Sequence, residues 1–232
     1  MYLDSQKTSK TAMRDLFMGN NKKEPHCRLY LITPPRFILD DFKDELAHAL
    51  DGDDIACVQL RLKGASRDKL LRAIEVLAPI VQERNIPFIL NDNPELAATT
   101  GCDGVHVGQK DTSYEKTRDI VGTNAIVGVT CHDKRYLAYE AAEKGADYVA
   151  FGAFFPTNTK RNKSQPKVDI LEIWSTMTTV PCVAIGGITH NNCPVIIQAG
   201  ANFLAVISAI WDHEAGPKAA VKTFNQIISL NC

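Results

Sequence analysis

The chain has 232 residues, of which 45% are hydrophobic and 23% charged, and 26 basic residues against 27 acidic ones leave a formal net charge of -1. This balance excludes the strong overall field of proteins that bind nucleic acid or anionic membranes by charge alone. No apolar run approaches the roughly 20 residues of a membrane span, and the lysine-rich start has no apolar core, so we expect neither a membrane segment nor a secretory signal.

The cysteines indicate a reducing compartment. Seven cysteines stand singly along the chain, and none forms the Cys-x-x-Cys pair of zinc or redox sites. Because disulfides are rare in the cytosol, we expect reduced thiols and a cytoplasmic location.

The chain divides into residues 1–26, a polar arm that we expect to be flexible, and a single catalytic domain over residues 27–232. In this domain, short apolar runs rich in β-branched residues alternate with helical patterns such as the one over residues 70–81. Continuously apolar runs are typical of parallel strands covered by helices, so eight repeats predict an α/β fold, a (β/α)8 or TIM barrel. The predicted strands are Arg28–Thr33, Ile55–Arg61, Pro87–Asn91, Gly104–Val107, Ala125–Val129, Tyr148–Phe151, Cys182–Ile185 and Phe203–Ile207.

Polar side chains gather at the end of the second predicted strand. In such a barrel the loops after the strands form the active face. The period of two places Gln59, Arg61 and Lys63 on one face and the leucines between them on the other. Two cations inside the barrel mouth predict an anion site, and a solvated basic strand end is the alternative.

The next two strands supply carboxylates. Asn91 and Asp92 end the third strand, and Asp111 lies in the loop after the fourth. Two carboxylates from neighbouring loops, completed by water and phosphate oxygens, are a usual magnesium site. The alternative is that each aspartate only caps the helix that follows it.

The last three strands predict phosphate contacts. The long loop over residues 156–167 carries Thr157, Asn158, Thr159 and Lys160. Long loops in compact domains are often active-site lids, so we expect this loop to be one. Solvated loop charges are the alternative for its basic residues. Gly187 after the seventh strand and Ile207-Ser208 after the eighth occupy the positions of the recurrent phosphate cradle of these barrels.

Three further residues lie near the predicted mouth. Thr130, after the fifth strand, adds a hydroxyl to the rim. We interpret His132 as a helix cap or a structural group rather than an acid–base catalyst, and His106, inside the fourth strand, as a core histidine with its hydrogen bonds satisfied.

Over about residues 28–228 these motifs resemble the thiamine phosphate synthase family, through the order and spacing of QLRLK, ND, DGVHVGQKD, GVTCH, PTNTK, IGGI and ISAI. The resemblance implies a transferase that joins a hydroxymethylpyrimidine diphosphate to a thiazole phosphate and releases diphosphate. It implies a dissociative mechanism, in which the thiazole nitrogen captures a pyrimidine methylene cation and no enzyme nucleophile is needed.

The resemblance also implies a role for each matching residue. Arg61, Lys63, Lys160 and Thr130 would act on the reacting diphosphate. Mg²⁺ would be held by Asp92 and Asp111. The pyrimidine diphosphate would be bound by Gln59, Leu60, Arg61, Leu62, Lys63, Asn91 and Lys160, and the thiazole phosphate by Thr157, Asn158, Thr159, Gly187, Ile207 and Ser208.

The sequence departs from the family's commoner pattern at three positions. Leu62 stands where many members carry Glu, Asn93 where Arg is frequent, and Thr130 where Ser is usual. Threonine keeps the hydroxyl, and the first two changes remove no named ligand.

Two other functions compete with the synthase. A thiazole tautomerase would keep the cradle of Gly187 and Ser208 and use His132 for proton transfer, but it would not need Arg61 and Lys63 beside two aspartates. A non-catalytic sensor would bind a phosphorylated ligand without turnover. We expect small-molecule substrates and neither nucleic acid nor membrane as partners, and the sequence leaves a homo-oligomer open.

Overall fold

A computed structural model describes Arg14, Phe17 and residues 27–157 and 165–232. Eight parallel strands close into a barrel in chain order, which confirms the predicted fold. The strands are β1 Arg28–Ile32, β2 Cys57–Leu60, β3 Phe88–Asn91, β4 Gly104–Val107, β5 Ile126–His132, β6 Tyr148–Gly152, β7 Cys182–Ile185 and β8 Phe203–Val206.

Helices cover the outside of the barrel. In the described part of the chain they are α1 Leu39–Leu50, α2 Arg67–Gln82, α3 Pro94–Thr100, α4 Tyr114–Val121, α5 Arg135–Glu143, α6 Asp169–Met177, α7 Cys193–Gln198, α8 Ser208–Trp211 and α9 Gly216–Asn231. None of these helices is long and apolar enough to cross a membrane.

The alternation of side chains along each strand builds two apolar layers. In β1, Leu29 and Leu31 belong to the layer between strands and helices. Tyr30 and Ile32, on the other face, belong to a smaller cluster that fills the barrel interior. Both faces are therefore buried, which explains the continuously apolar strands in the sequence.

The amino ends of three strands are tied to their neighbours by a polar side chain just before the strand. Asp103 accepts the amide N–H of Phe88, Asp147 accepts that of Val127 and Asn202 accepts that of Cys182, each at 2.8 Å. These contacts fasten β4 to β3, β6 to β5 and β8 to β7. They lie at the end of the barrel opposite the predicted site.

Two residues of the predicted arm contact this same end. Phe17 is 1% exposed, and its ring stacks on Phe203 at 4.6 Å and lies 5.3 Å from the ring of Tyr148. The Arg14 guanidinium donates to Asp147 from Nε at 2.7 Å. Both residues therefore contact the barrel. The other residues of the predicted flexible arm lie outside the described part of the chain.

Strand β5 ends three residues later than predicted. The sequence indicates an end for β5 at Val129, but the strand continues to His132, with a register shift between Thr130 and His132 against β6. Thr130 therefore belongs to the strand, and its side chain is aimed by the sheet rather than by a loop. His132 ends the strand, and the residue at the N-cap of α5 is Lys134, so His132 is not that cap; its interpretation as a structural group stays a prediction.

Candidate active site

A cavity of about 460 Å³ opens at the carboxyl ends of the strands. This size is within the usual range of small-molecule sites. Residues from seven strand ends or following loops that the sequence singled out line it together. They are Gln59, Arg61, Lys63, Asn91, Asp92, Asp111, Thr130, Thr157, Gly187, Ile207 and Ser208.

The basic wall of the cavity follows from the alternation in and after β2. Gln59, Arg61 and Lys63 line the cavity, while Leu60 and Leu62 are buried among the helices at 0% and 8% exposure. The Arg61 amide N–H donates to the buried hydroxyl of Thr33 at 3.0 Å, which fixes the backbone here. The structure therefore does not bring the side chains of Leu60 and Leu62 to the site, contrary to their inclusion among the expected substrate contacts.

The two aspartates are not helix caps. Asn93 caps α3 by accepting the Leu96 amide N–H at 2.9 Å, and Ser113 caps α4. Asp111 instead accepts the Gly108 amide N–H at 2.9 Å, and Asp92 lies in the left-handed region at φ 64°. The sequence alternative of a mere capping role is therefore wrong for both carboxylates, and Asn93, a departure from the family pattern, has a structural role.

The two carboxylates form one electrostatic unit with the basic wall. Burial, then a hydrogen bond and charge repulsion from Asp111, raises the pKa of Asp92 to about 6, and Lys63 and Arg61 oppose this rise. Two carboxylates in contact are unfavourable without a cation. The pair thus has the donor chemistry for Mg²⁺, whose remaining ligands would be water and substrate oxygens; no cluster of three or more His, Cys, Asp or Glu metal ligands occurs among the described residues.

The opposite wall is built by the loops after β6, β7 and β8. Gly187, at φ 64°, approaches the preceding loop so closely that a Cβ would lie 2.4 Å from the carbonyl oxygen of Pro156. Asn192 fixes this turn by donating to the Gly187 carbonyl at 2.9 Å. Trp211 ties α8 to β1 by donating to the Ile32 carbonyl at 2.7 Å. Gly187 and Ser208 both line the cavity.

Part of the predicted site lies outside the described residues. This holds for Asn158, Thr159 and Lys160, and for most of the predicted lid. Thr157 lines the cavity at the start of that loop.

The cavity also contains residues that the sequence reasoning did not assign to it. His106 hydrogen bonds through Nε2 to Thr130 Oγ1 at 2.7 Å and lines the cavity wall. Gln109 donates to the Thr130 carbonyl at 2.7 Å. The available signal was the alternation of His106 with Val105 and Val107, because both valines face the outer layer and His106 must then face inward.

The chain is similar in sequence and in fold to known proteins. The family model described as thiamine monophosphate synthase matches residues 29–210. Proteins named thiamine-phosphate synthase include one from Rhodospirillum centenum, 61% identical over 87% of this chain and 98% of its own length, and one from Hyphomonas neptunium, 43% identical over 88% and 94%. A solved thiamine phosphate pyrophosphorylase from Pyrococcus furiosus is 28% identical, with a TM-score of 0.77 over 88% of this chain and 96% of that one. The family predicted from the motifs is confirmed: this chain belongs to the thiamine monophosphate synthase family.

Proposed function

We propose that this chain condenses 4-amino-2-methyl-5-hydroxymethylpyrimidine diphosphate with a thiazole phosphate, forming thiamine monophosphate and diphosphate. The observation that carries the proposal is that two groups of residues suited to binding anions line a single cavity. Arg61 and Lys63 stand beside a carboxylate pair on one side, and Gly187 and Ser208 on the other. Two phosphate regions facing one mouth suit the joining of two phosphorylated substrates.

The basic wall suits the departure of diphosphate. Breaking a carbon–oxygen bond to diphosphate transfers negative charge to the leaving oxygens. In this proposal Arg61 and Lys63 neutralise that charge, and Thr130, which also lines the cavity, adds a hydroxyl that hydrogen bonds to the diphosphate. Mg²⁺ bound by Asp92 and Asp111 would neutralise further diphosphate oxygens. Lys160, carried over from the family pattern, would add a third cation.

The remaining residues bind and orient the substrates. Gln59 is 3% exposed and lies deep in the cavity, where its amide suits a pyrimidine ring, and Asn91 lies beside the diphosphate wall. Thr157, Asn158, Thr159 and Ile207 complete the thiazole phosphate site in this proposal, with the backbone amides of Gly187 and Ser208 donating to the phosphate oxygens.

The function is tested by incubating the protein with both substrates and Mg²⁺ and measuring thiamine monophosphate and diphosphate. We expect both products in equal amounts and neither when a chelator removes Mg²⁺. Isomerisation of the thiazole phosphate without metal would favour the tautomerase instead. Tight binding of either substrate with no release of diphosphate would favour the sensor.

We predict that Asp92→Ala lowers kcat/KM at least about a hundredfold, because it removes a metal ligand that acts on the developing charge. Asp44→Ala, at an exposed position on α1, is the matched control and should leave turnover unchanged. Full activity of Asp92→Ala in the presence of a chelator would contradict the assignment.

Two further predictions concern the cellular location and the oligomeric state. The seven cysteines are free thiols, which supports the proposed cytoplasmic location. A homo-oligomer stays a prediction that the oligomeric state in solution would test.

A further inference from the structure

A series of hydrogen-bonded side chains connects the barrel interior to the cavity wall. The hydroxyls of Tyr30 and Tyr148 are 2.9 Å apart, and the Tyr148 hydroxyl lies 3.0 Å from Nδ1 of His106. The other ring nitrogen of His106, Nε2, lies 2.7 Å from Oγ1 of Thr130. The four residues come from β1, β6, β4 and β5, so the series passes through the centre of the barrel to the proposed diphosphate wall.

The surroundings hold this series in one arrangement. Tyr30 and Tyr148 are buried, at 2% and 0% exposure. The Tyr148 ring fills space that only glycine leaves open on β5, since a Cβ on Gly128 would lie 1.9 Å from its Cζ. The His106 ring stacks on the Tyr148 ring at 5.5 Å and 22°. The Phe17 ring lies 5.3 Å from the Tyr148 ring, so Tyr148 packs against the rings of both His106 and Phe17.

When the His106 ring is neutral and carries one N–H, the hydrogen bonds of the series have two consistent directions. In the first, Tyr30 donates to Tyr148, Tyr148 donates to Nδ1 of His106, and Nε2–H donates to Thr130, whose own proton then faces the cavity. In the second, Thr130 donates to Nε2 and presents only lone pairs to the cavity. A hydroxyl has a single proton, so it cannot donate both to His106 and to a ligand.

An anionic ligand distinguishes the two directions. A diphosphate oxygen accepts hydrogen bonds and cannot donate them, so it is bound only by a Thr130 hydroxyl whose proton is free for it. Burial raises the pKa of both tyrosines well above the usual value, so each phenol keeps its proton and can donate along the series. The first direction is therefore the one that fits an anion at this wall.

We infer that His106 is a positioning residue, which donates from Nε2 to Thr130 and thereby turns the Thr130 hydroxyl proton toward the substrate diphosphate. The inference rests on the proposed placement of the diphosphate beside Thr130. It replaces the sequence interpretation of His106 as a purely structural core histidine, since the ring is satisfied by its partners but also lies at the wall of the site.

The first test compares two amide replacements of His106. The amide nitrogen of glutamine reaches the place of Nε2, whereas that of asparagine reaches only the place of Nδ1. We expect His106→Asn to lower kcat on the order of ten- to hundredfold, with a smaller change in KM, because the hydroxyl contact strengthens as the leaving group gains charge. His106→Gln should recover most of kcat. Equal losses in both variants would mean a merely structural role and would overturn the inference.

The second test is a double-mutant cycle with Thr130→Val, which removes the hydroxyl and keeps the shape. Thr130→Val alone should lower kcat by a similar factor, and adding His106→Asn should then cost less than about twofold. Fully additive losses would overturn the inference while leaving the proposed site intact. An unchanged kcat in Thr130→Val would instead remove Thr130 from the proposed site.

A spectroscopic test reports the proton itself. In protein labelled with ¹⁵N-histidine, and with Mg²⁺ and inorganic diphosphate added, the His106 signal should be that of a ring protonated at Nε2. The His106→Gln spectrum identifies which signal is lost. A His106 ring with an unprotonated Nε2 in this complex would refute the inference even if both variants lose activity.

Discussion

At the level of single residues, the candidate site contains two neighbouring carboxylates, Asp92 and Asp111, that repel each other when both are charged. Asp92 is held in the left-handed region at φ 64° and is partly buried against Asp111. Neither residue caps a helix, because Asn93 and Ser113 have taken that role. Strain and charge repulsion of this kind cluster at functional sites, where a bound ligand relieves them.

This repulsion predicts a pH dependence of stability in the absence of divalent metal. Burial and Asp111 raise the pKa of Asp92 from 3.8 to about 6, so the folded protein retains a proton that the unfolded chain releases at lower pH. The free energy of unfolding therefore falls as pH rises from about 4 to about 6, and it stays lower above that range.

The expected result concerns the melting temperature in a chelating buffer. Asp92→Asn should raise it at about pH 8, where the native carboxylate is charged, and should change it little at about pH 4.5. Asp44→Asn, an exposed carboxylate on α1, is the control and should show no such difference. An equal effect of Asp92→Asn at both pH values would contradict the assigned cause.

At the element scale, the amino ends of the strands are joined in pairs by single side chains. Asp103 is 4% exposed, and its Oδ2 accepts both the Phe88 amide N–H and the Gln82 side-chain amide, each at 2.8 Å. Asp147 and Asn202 hold equivalent positions before β6 and β8. These two residues end the segments Gly-Ala-Asp (145–147) and Gly-Ala-Asn (200–202). In each segment the last side chain therefore joins two neighbouring strands by a hydrogen bond.

We predict that Asp103→Ala lowers the free energy of unfolding by about 2 kcal/mol, because it leaves a buried amide N–H without its acceptor. Asp103→Asn keeps an oxygen for that amide and should cost less than about 1 kcal/mol. Denaturant titration measures both. An equal decrease in the free energy of unfolding in the two variants would show that the charge of Asp103, rather than its hydrogen bond to the amide, stabilises the fold.

At the scale of the whole molecule, the barrel is filled at one end and open at the other. The interior cluster of Tyr30, Tyr148, Phe203 and their neighbours is closed at the amino end by Phe17, while the cavity occupies the carboxyl end. Phe17 precedes residue 29, where the family match begins. A residue outside the matched region therefore completes the core that supports the site.

This packing predicts that Phe17→Ala lowers the free energy of unfolding by about 3 kcal/mol through the cavity it leaves, and Phe17→Leu by about 1 kcal/mol. The exposed Leu230, at 83%, provides the control, and Leu230→Ala should change stability by less than about 0.5 kcal/mol. Denaturant titration is again the measurement, and a Phe17→Ala variant as stable as the parent would mean that the arm contributes nothing to the core.

The eight βα units, the family and the strand ends that carry the polar residues could all be predicted from the amino-acid sequence. This is possible because hydrophobic periodicity and the order of motifs are local properties, and the alternation in β2 already separated Arg61 and Lys63 from Leu60 and Leu62.

Which of these residues lie together depends on how the chain folds. The closing of the barrel brings Asp92 to Asp111, 19 positions apart in the chain, and His106 to Thr130, 24 positions apart. In the structure, Asn93 and Ser113 cap the helices, β5 includes Thr130, and Phe17 is buried. Each of these outcomes depends on which side chains pack or form hydrogen bonds with one another in three dimensions. The periodicity of the sequence does not contain that information.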